Sequence, residues 1–438
     1  MKSRRSLTTA LALTAAFAAV AAPRLLPMAI AQEAPDVAPD AYDEVIPAPP
    51  ELELIEESPI ELAEITEVEA PVEPIEVEVP NNDAVAAVIE KEPIEMTVKP
   101  RHRRNVDLVI ALDTSGSMEG LLDSVRARLW DIVGEVSDKE PDANLRVALL
   151  TFGSPGVAGA DQGYVNVRSH LTSDLDSLYG QVMGLRTDGG DEYVGWTLNT
   201  ALTELDWSQS HSAARILFIA GNESADQARE RYDFRTVSAN AREKGVIINA
   251  IYAGDRNQGI RENWAAVASA GGGMYTAIDQ QASTYQIAAP QDAELQALND
   301  KLNRTYIGYG ARGESGKANQ VKQDSNAGSV GGASVASRIS AKAKGVYSNS
   351  DWDLVDGVSR GKLDLSDAPA AALPEAMREM EGEERAEYVQ ELASERKRIQ
   401  AQIDKVSKER SGFLKKKAKD AGEGGLDEAM SEAIDDQL

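Results

Sequence analysis

Four apolar runs, at 106–112, 145–152, 215–220 and 246–252, punctuate the middle of the chain and limit what it can fold into. A strand that is apolar at consecutive positions is covered on both faces, the situation of parallel strands sandwiched between helices. The segments between the runs fit that arrangement. Leu121, Leu122, Val125, Leu129, Ile132, Val133 and Val136 recur at helical spacing after the first run. An extended piece at 164–170 precedes a helix over about 174–183, and a further helix passes through Trp196, Leu198 and Leu202. The pattern then predicts a long helix over 225–244, another over 260–270 and a short strand at 273–278. The alternation predicts an α/β fold, a doubly wound, mostly parallel sheet flanked by helices.

Directly after the first run comes Asp113-Thr114-Ser115-Gly116-Ser117. One carboxylate and two hydroxyls thus emerge together where a buried strand ends. Asp113 supplies charge, and Ser115 and Ser117 add neutral hard oxygens, a donor set suited to a small divalent cation with waters filling its shell. Mg²⁺ is the expected ion, with Ca²⁺ or Mn²⁺ as alternatives. An ion held by few carboxylates keeps much of its charge and can accept a carboxylate from another molecule, which points to recognition before catalysis. The competing reading is a Ser/Thr-rich turn that caps the helix beginning near Glu119.

With these elements in order, residues 105–280 resemble a von Willebrand factor A domain, with Asp113, Ser115 and Ser117 as its metal-ion-dependent adhesion site. The resemblance implies a doubly wound sheet with the metal at the topological switch, where physical rules also place ligands. It further implies a ligand from the loop 187–192. Many members place threonine directly after its paired glycines, whereas here Asp191 and Glu192 follow Gly189-Gly190, and Asp191 is the expected ligand. Where the family usually has an aspartate after the fourth strand, this chain has Asn222 and Glu223. Either could complete the shell, or cap a helix beginning near Ser224.

The remaining sequence sets the context. Residues 1–31 read as an export signal: Lys2, Arg4 and Arg5, then an Ala-rich apolar stretch broken by Pro23 and Arg24, then Ala29-Ile30-Ala31 as a cleavage pattern. Both the general secretory and the twin-arginine routes fit, and the destination is the periplasm, the cell envelope or the medium. No later segment reads as transmembrane. Residues 32–100 hold 20 acidic residues against Lys91 and Lys99, a net of −18 out of −27 for the whole chain, and 11 prolines. This composition predicts a disordered linker. Such acidity argues against nucleic acid as a partner. With no cysteine, disulfides, thiolate metal sites and a cysteine nucleophile are excluded.

The domain is expected over 101–280 and a helical C-terminal region over 281–438. Helices are expected near 293–306 and from 316 to 347, interrupted at Gly331-Gly332. In 374–419 a seam of Val389, Leu392, Arg396, Ile399, Ile403, Val406, Arg410 and Phe413 suggests either a short coiled coil, hence a homo-oligomer, or a helix lying on the chain itself. The acidic tail after Glu423 is expected to fray. Gly308, Gly310 and Gly313 match a dinucleotide-binding spacing but lack the strand that should precede it. The three histidines are far apart, and neither HExxH nor GxSxG occurs. The expected function is an exported, metal-dependent protein-binding module rather than an enzyme, its partner presenting an acidic side chain. The alternatives are a structural envelope protein assembling through its C-terminal helices and a metal-assisted hydrolase.

Overall fold

The computed structural model describes residues 103–278, 288–366, 368–418 and 426–438. The expected signal peptide and acidic linker lie outside the described residues. Six strands form one sheet: β1 (Asn105–Asp113), β2 (Asn144–Phe152), β3 (Asn166–Thr172), β4 (Ala214–Gly221), β5 (Ile247–Ala253) and β6 (Gly272–Ile278). Their order is β3-β2-β1-β4-β5-β6, and all neighbours are parallel except β3, which runs antiparallel to β2 at one edge. This is the expected doubly wound α/β architecture.

Alternate residues of β1 enter opposite cores. Val106, Leu108, Ile110 and Leu112 face one side, with α1 (Glu119–Lys139) and α2 (Leu175–Met183). Val109 and Ala111 face the other, with α3 (Val194–Glu204), α4 (Phe234–Glu243) and α6 (Trp264–Gly271). The expected helix over 225–244 is reduced to α4. Ala228 takes a left-handed conformation at φ 51°, the backbone stays in turns, and Asp233 caps α4 by accepting from Arg235 N. Likewise the expected helix over 260–270 is divided into α5 (Arg256–Arg261) and α6 by Asn263 at φ 69°.

The helical C-terminal region continues the first core instead of standing apart from it. It comprises α7 (Asp292–Arg304), α8 (Gly313–Val330), α9 (Gly332–Lys342), α10 (Leu354–Ser359), α11 (Glu375–Arg378), α12 (Gly382–Ala418) and α13 (Leu426–Gln437). Leu295, Leu302, Ile339, Ile403 and Ile434 share one apolar cluster with β1 and α1. Charge is buried in the same region. The Arg338 guanidinium donates to Asp176 Oδ1 at 2.8 Å, Asp324 Oδ1 at 2.6 Å and the Gln320 carbonyl at 3.0 Å, and lies over the Trp130 ring. The Lys342 ammonium donates to Asp324, Asn299 and Asn303.

The seam of α12 is filled by the chain's own helices, so the coiled-coil expectation gives way to the intramolecular one. Its two arginines are paired within the chain: Arg396 with Asp353 and Asp356, and Arg410 with Asp292. The expected fraying of the tail is also corrected. Met430, Ala433 and Ile434 of α13 are buried, and Gln437 exchanges amide hydrogen bonds with Asn249 of β5. The glycine spacing at 308–313 proves to be a close turn: a side chain on Gly308 would meet the Gly313 carbonyl oxygen at 2.6 Å.

Candidate metal site at the topological switch

β1 has β2 on one side and β4 on the other, and the chain leaves in opposite directions from these strands, so the loops at their C-terminal ends part and open a crevice. Asp113 is the last residue of β1, and its carboxyl group is fully buried. The Thr114 amide and hydroxyl both donate to the Phe152 carbonyl at 2.9 Å, and Ser115 N donates to Asp113 Oδ1 at 2.7 Å. Asp188 N in turn donates to the Thr114 carbonyl at 2.9 Å, which seats the loop 187–192 beside the motif.

The structure decides against helix capping by the Asp113–Ser117 turn. α1 has Met118 at its N-cap and no side-chain cap. Asn222 and Glu223 do not cap a helix either, since the next helix starts only at Phe234 and has its own cap in Asp233. Their side chains are otherwise placed: Asn222 Nδ2 donates to Ser117 Oγ at 2.8 Å, which ties the β4 loop to the β1 loop. Glu223 is exposed and accepts from Gln227 Nε2.

Asp191, the expected ligand of the third loop, is not part of this group. It faces solvent and accepts from the Tyr193 hydroxyl at 3.1 Å. The adjacent Glu192 is 2 % exposed instead, its backbone amide held by Gln227 Oε1 at 2.9 Å. Burial alternates along the segment ahead of α3, with Glu192 and Val194 inside and Asp191 outside. Val194, two residues on, is buried, so the sequence held a signal for Glu192 pointing inward.

Asp113 Oδ2, Ser115 Oγ, Glu192 Oε2 and Asn222 Oδ1 are buried and have no hydrogen-bond partner. An unpaired buried polar atom costs roughly 1–3 kcal/mol, so four oxygens gathered at one sheet edge require an explanation. Burial raises the pKa of the Asp113 carboxyl above its ordinary value. Burial also raises that of Glu192, which the neighbouring Asp113 carboxylate pushes further. Two carboxylates sharing a dry site call for a proton or a cation between them. The donors present are carboxylate, hydroxyl and amide oxygens, which fit a hard divalent ion. Gly153, at φ +80°, provides the room: a side chain there would lie 2.8 Å from Asp113 Oδ1 and 3.2 Å from Glu192 Cγ.

Residues 107–310 match the model of the von Willebrand factor type A domain. Solved structures similar to the chain include proximal thread matrix protein 1 from the mussel byssus with a zinc-occupied MIDAS motif, 16% identical over 42% of this chain and 43% of that one, with a TM-score of 0.31. BatB from Bacteroides thetaiotaomicron is 16% identical over 40% of this chain and 90% of its own, with a TM-score of 0.28. The pilus adhesin SpaC from Lactobacillus rhamnosus GG is 17% identical over 41% of this chain and 28% of its own, with a TM-score of 0.32. The matched part thus spans less than half of the byssus protein. No curated protein matches the sequence. The sheet order and the family match agree: residues 107–310 form a von Willebrand factor type A domain.

Proposed function

We propose that the protein is an exported, metal-dependent protein-binding module, and not an enzyme. Asp113, Ser115, Ser117, Asn222 and Glu192 would hold a divalent cation, Mg²⁺ before Ca²⁺ or Mn²⁺, with Glu223 tuning it from the rim. When bound, the ion supplies a Lewis-acidic position that a partner's acidic side chain can coordinate. The observation that carries this reading is the set of four buried, unpaired oxygens at the end of β1, β4 and the loop before α3. The protein's own residues have separate tasks in it. Asp113 and Glu192 bring the charge, Ser115 N fixes the Asp113 carboxylate, and Asn222 orients Ser117. Export rests on the N-terminal sequence, and among the described residues no helix is long and apolar enough to cross a membrane.

The test is capture of envelope proteins on immobilised wild type and Asp113→Ala, each with Mg²⁺ and with chelator. The expected result is a set of proteins held by wild type in Mg²⁺ and released by chelator, with none of that set held by the variant. Identical capture in all four conditions would place binding on the helices or the acidic segment and refute the metal bridge.

A further inference from the structure

Away from the sheet edge, one buried amine stands among groups with which it can react. Lys342 of α9 is fully buried, and its Nζ donates to Asn299 Oδ1 at 2.8 Å, to Asn303 Oδ1 at 2.6 Å and to the two oxygens of Asp324 at 3.0 and 3.1 Å. Asn299 and Asn303 stand four residues apart on α7, so their carboxamides share a face of that helix. Asp324 Oδ2 also accepts from Asn303 Nδ2 at 2.8 Å and from Asn299 Nδ2 at 3.2 Å. One oxygen of Asp324 thus touches both the amine and the nitrogen that a carboxamide releases when an amine replaces it. Arg338 pairs with Asp176 and Asp324, so Asp324 keeps a cationic partner when the Lys342 amine is neutral. Burial pulls the pKa of Lys342 down to about 8, which leaves a share of the amine unprotonated and nucleophilic near neutral pH.

We propose that Lys342 and Asn303 join in an intramolecular amide, with Asp324 carrying the protons and one ammonia released, so that α7 and α9 become covalently linked. The hydrogen bonds described above are those of the unreacted side chains. Lys342 gives a proton to Asp324, and the lone pair this uncovers forms a bond from Nζ to Asn303 Cγ while the carbonyl electron pair moves to Oδ1. Asp324 hands its proton to Nδ2 and takes a second one from Nζ. The pair on Oδ1 then restores the carbonyl, the Cγ–Nδ2 bond breaks and ammonia departs. An ammonium, a carboxylate and a carboxamide have become an amide, a neutral Asp324 and ammonia, so atoms and charge balance. Asn303 is the acceptor because its carboxamide is nearer than that of Asn299 to both Nζ and Asp324. Its half-buried position also gives ammonia a way out. A carboxamide is a poor electrophile towards an amine in solution, but placement in one site can be equivalent to an effective concentration of about 10⁵–10⁸ M. The link is independent of the metal site.

The test is peptide mapping of the full chain by tandem mass spectrometry, on fresh protein and after incubation at mildly alkaline pH. The expected product is a branched peptide in which Lys342 and Asn303 are joined, lighter by one ammonia than its two parts, with the same decrease in intact mass. Cyclisation of an asparagine to a succinimide releases the same ammonia but joins no peptides. A loss of ammonia without the branched peptide would therefore overturn the proposal, as would no loss at all after incubation, or a branch at Asn299. Lys342→Arg keeps the positive charge without the amine, and Asn303→Ala removes the acceptor; both should lack the branch. Asp324→Asn keeps the shape of the proton carrier without its basicity, and should form the branch about a hundredfold or more slowly. An unchanged rate would overturn the role given to Asp324. If a variant fails to fold, the wild-type map decides by itself.

Discussion

Two of the buried acidic groups among the described residues are handled in opposite ways. Between α2, α8 and α9, Asp176 and Asp324 are matched by Arg338 and Lys342. Burial opposes the Asp324 charge, yet Lys342 and Arg338 hold its pKa below the ordinary range, and burial pulls that of Lys342 down only to about 8. At the end of β1, Asp113 and Glu192 meet no cation of the protein, and both pKa values move up. Burial of carboxylates is common to both clusters. What distinguishes a binding site from a structural lock is the missing partner, since a folded chain otherwise satisfies what it buries.

The sharpest way to break that contrast is to unpair the lock. Arg338→Ala strands Asp176 and Asp324 without their guanidinium, and the expected loss is about 3–5 kcal/mol in denaturant unfolding. A loss below about 1 kcal/mol would mean that the network holds no more than an exposed pair does.

The second contrast is in pH. A carboxyl whose folded pKa lies above its unfolded one binds more protons in the native state, so native stability is greatest below the unfolded values, 3.8 for Asp113 and 4.5 for Glu192, and declines as pH rises above them. With chelator, melting temperature should fall as pH rises through this window, apart from the opposite trend of carboxylates such as Asp324. Mg²⁺ should remove the decline, adding about 2.7 kcal/mol at a hundredfold excess over its dissociation constant. A chelator effect that does not grow with pH would separate the ion from these carboxyls. Next in size is Gly153→Ala, which forces a left-handed conformation on alanine and places a methyl beside Asp113. It should cost about 1–3 kcal/mol and weaken metal binding. Asp191→Ala, on the solvent side of the same loop, should change stability by less than about 0.5 kcal/mol and leave metal affinity unaltered. Lost Mg²⁺ binding there would restore Asp191 as a ligand.

The sheet was legible because its central strands are apolar at successive residues, and that signal needs no tertiary context. The Asp113–Ser117 turn was legible for a related reason, since it begins where the run ends. The choice between Asp191 and Glu192 was not, because the two carboxylates are adjacent and burial alternates from one residue to the next along this segment. Gln227, which pins the Glu192 amide, lies 35 residues away and leaves no local trace. The docking of α13 was masked by composition. Met430, Ala433 and Ile434 stand at spacings of three and four, but acidic neighbours hide so short an apolar stripe. Arg396 and Arg410 are charged residues in an otherwise largely apolar seam, and only the positions of Asp353, Asp356 and Asp292 show why α12 carries them.

The central claim is that the unpaired oxygens around Asp113 belong to a divalent ion. Calorimetric titration of Mg²⁺ into the chelator-treated full chain, with Asp113→Ala beside it and both checked by circular dichroism, tests it directly. The account predicts one saturable site in wild type and none in a variant with native secondary structure. Absence of saturable binding in wild type, or the same isotherm in both proteins, would contradict it.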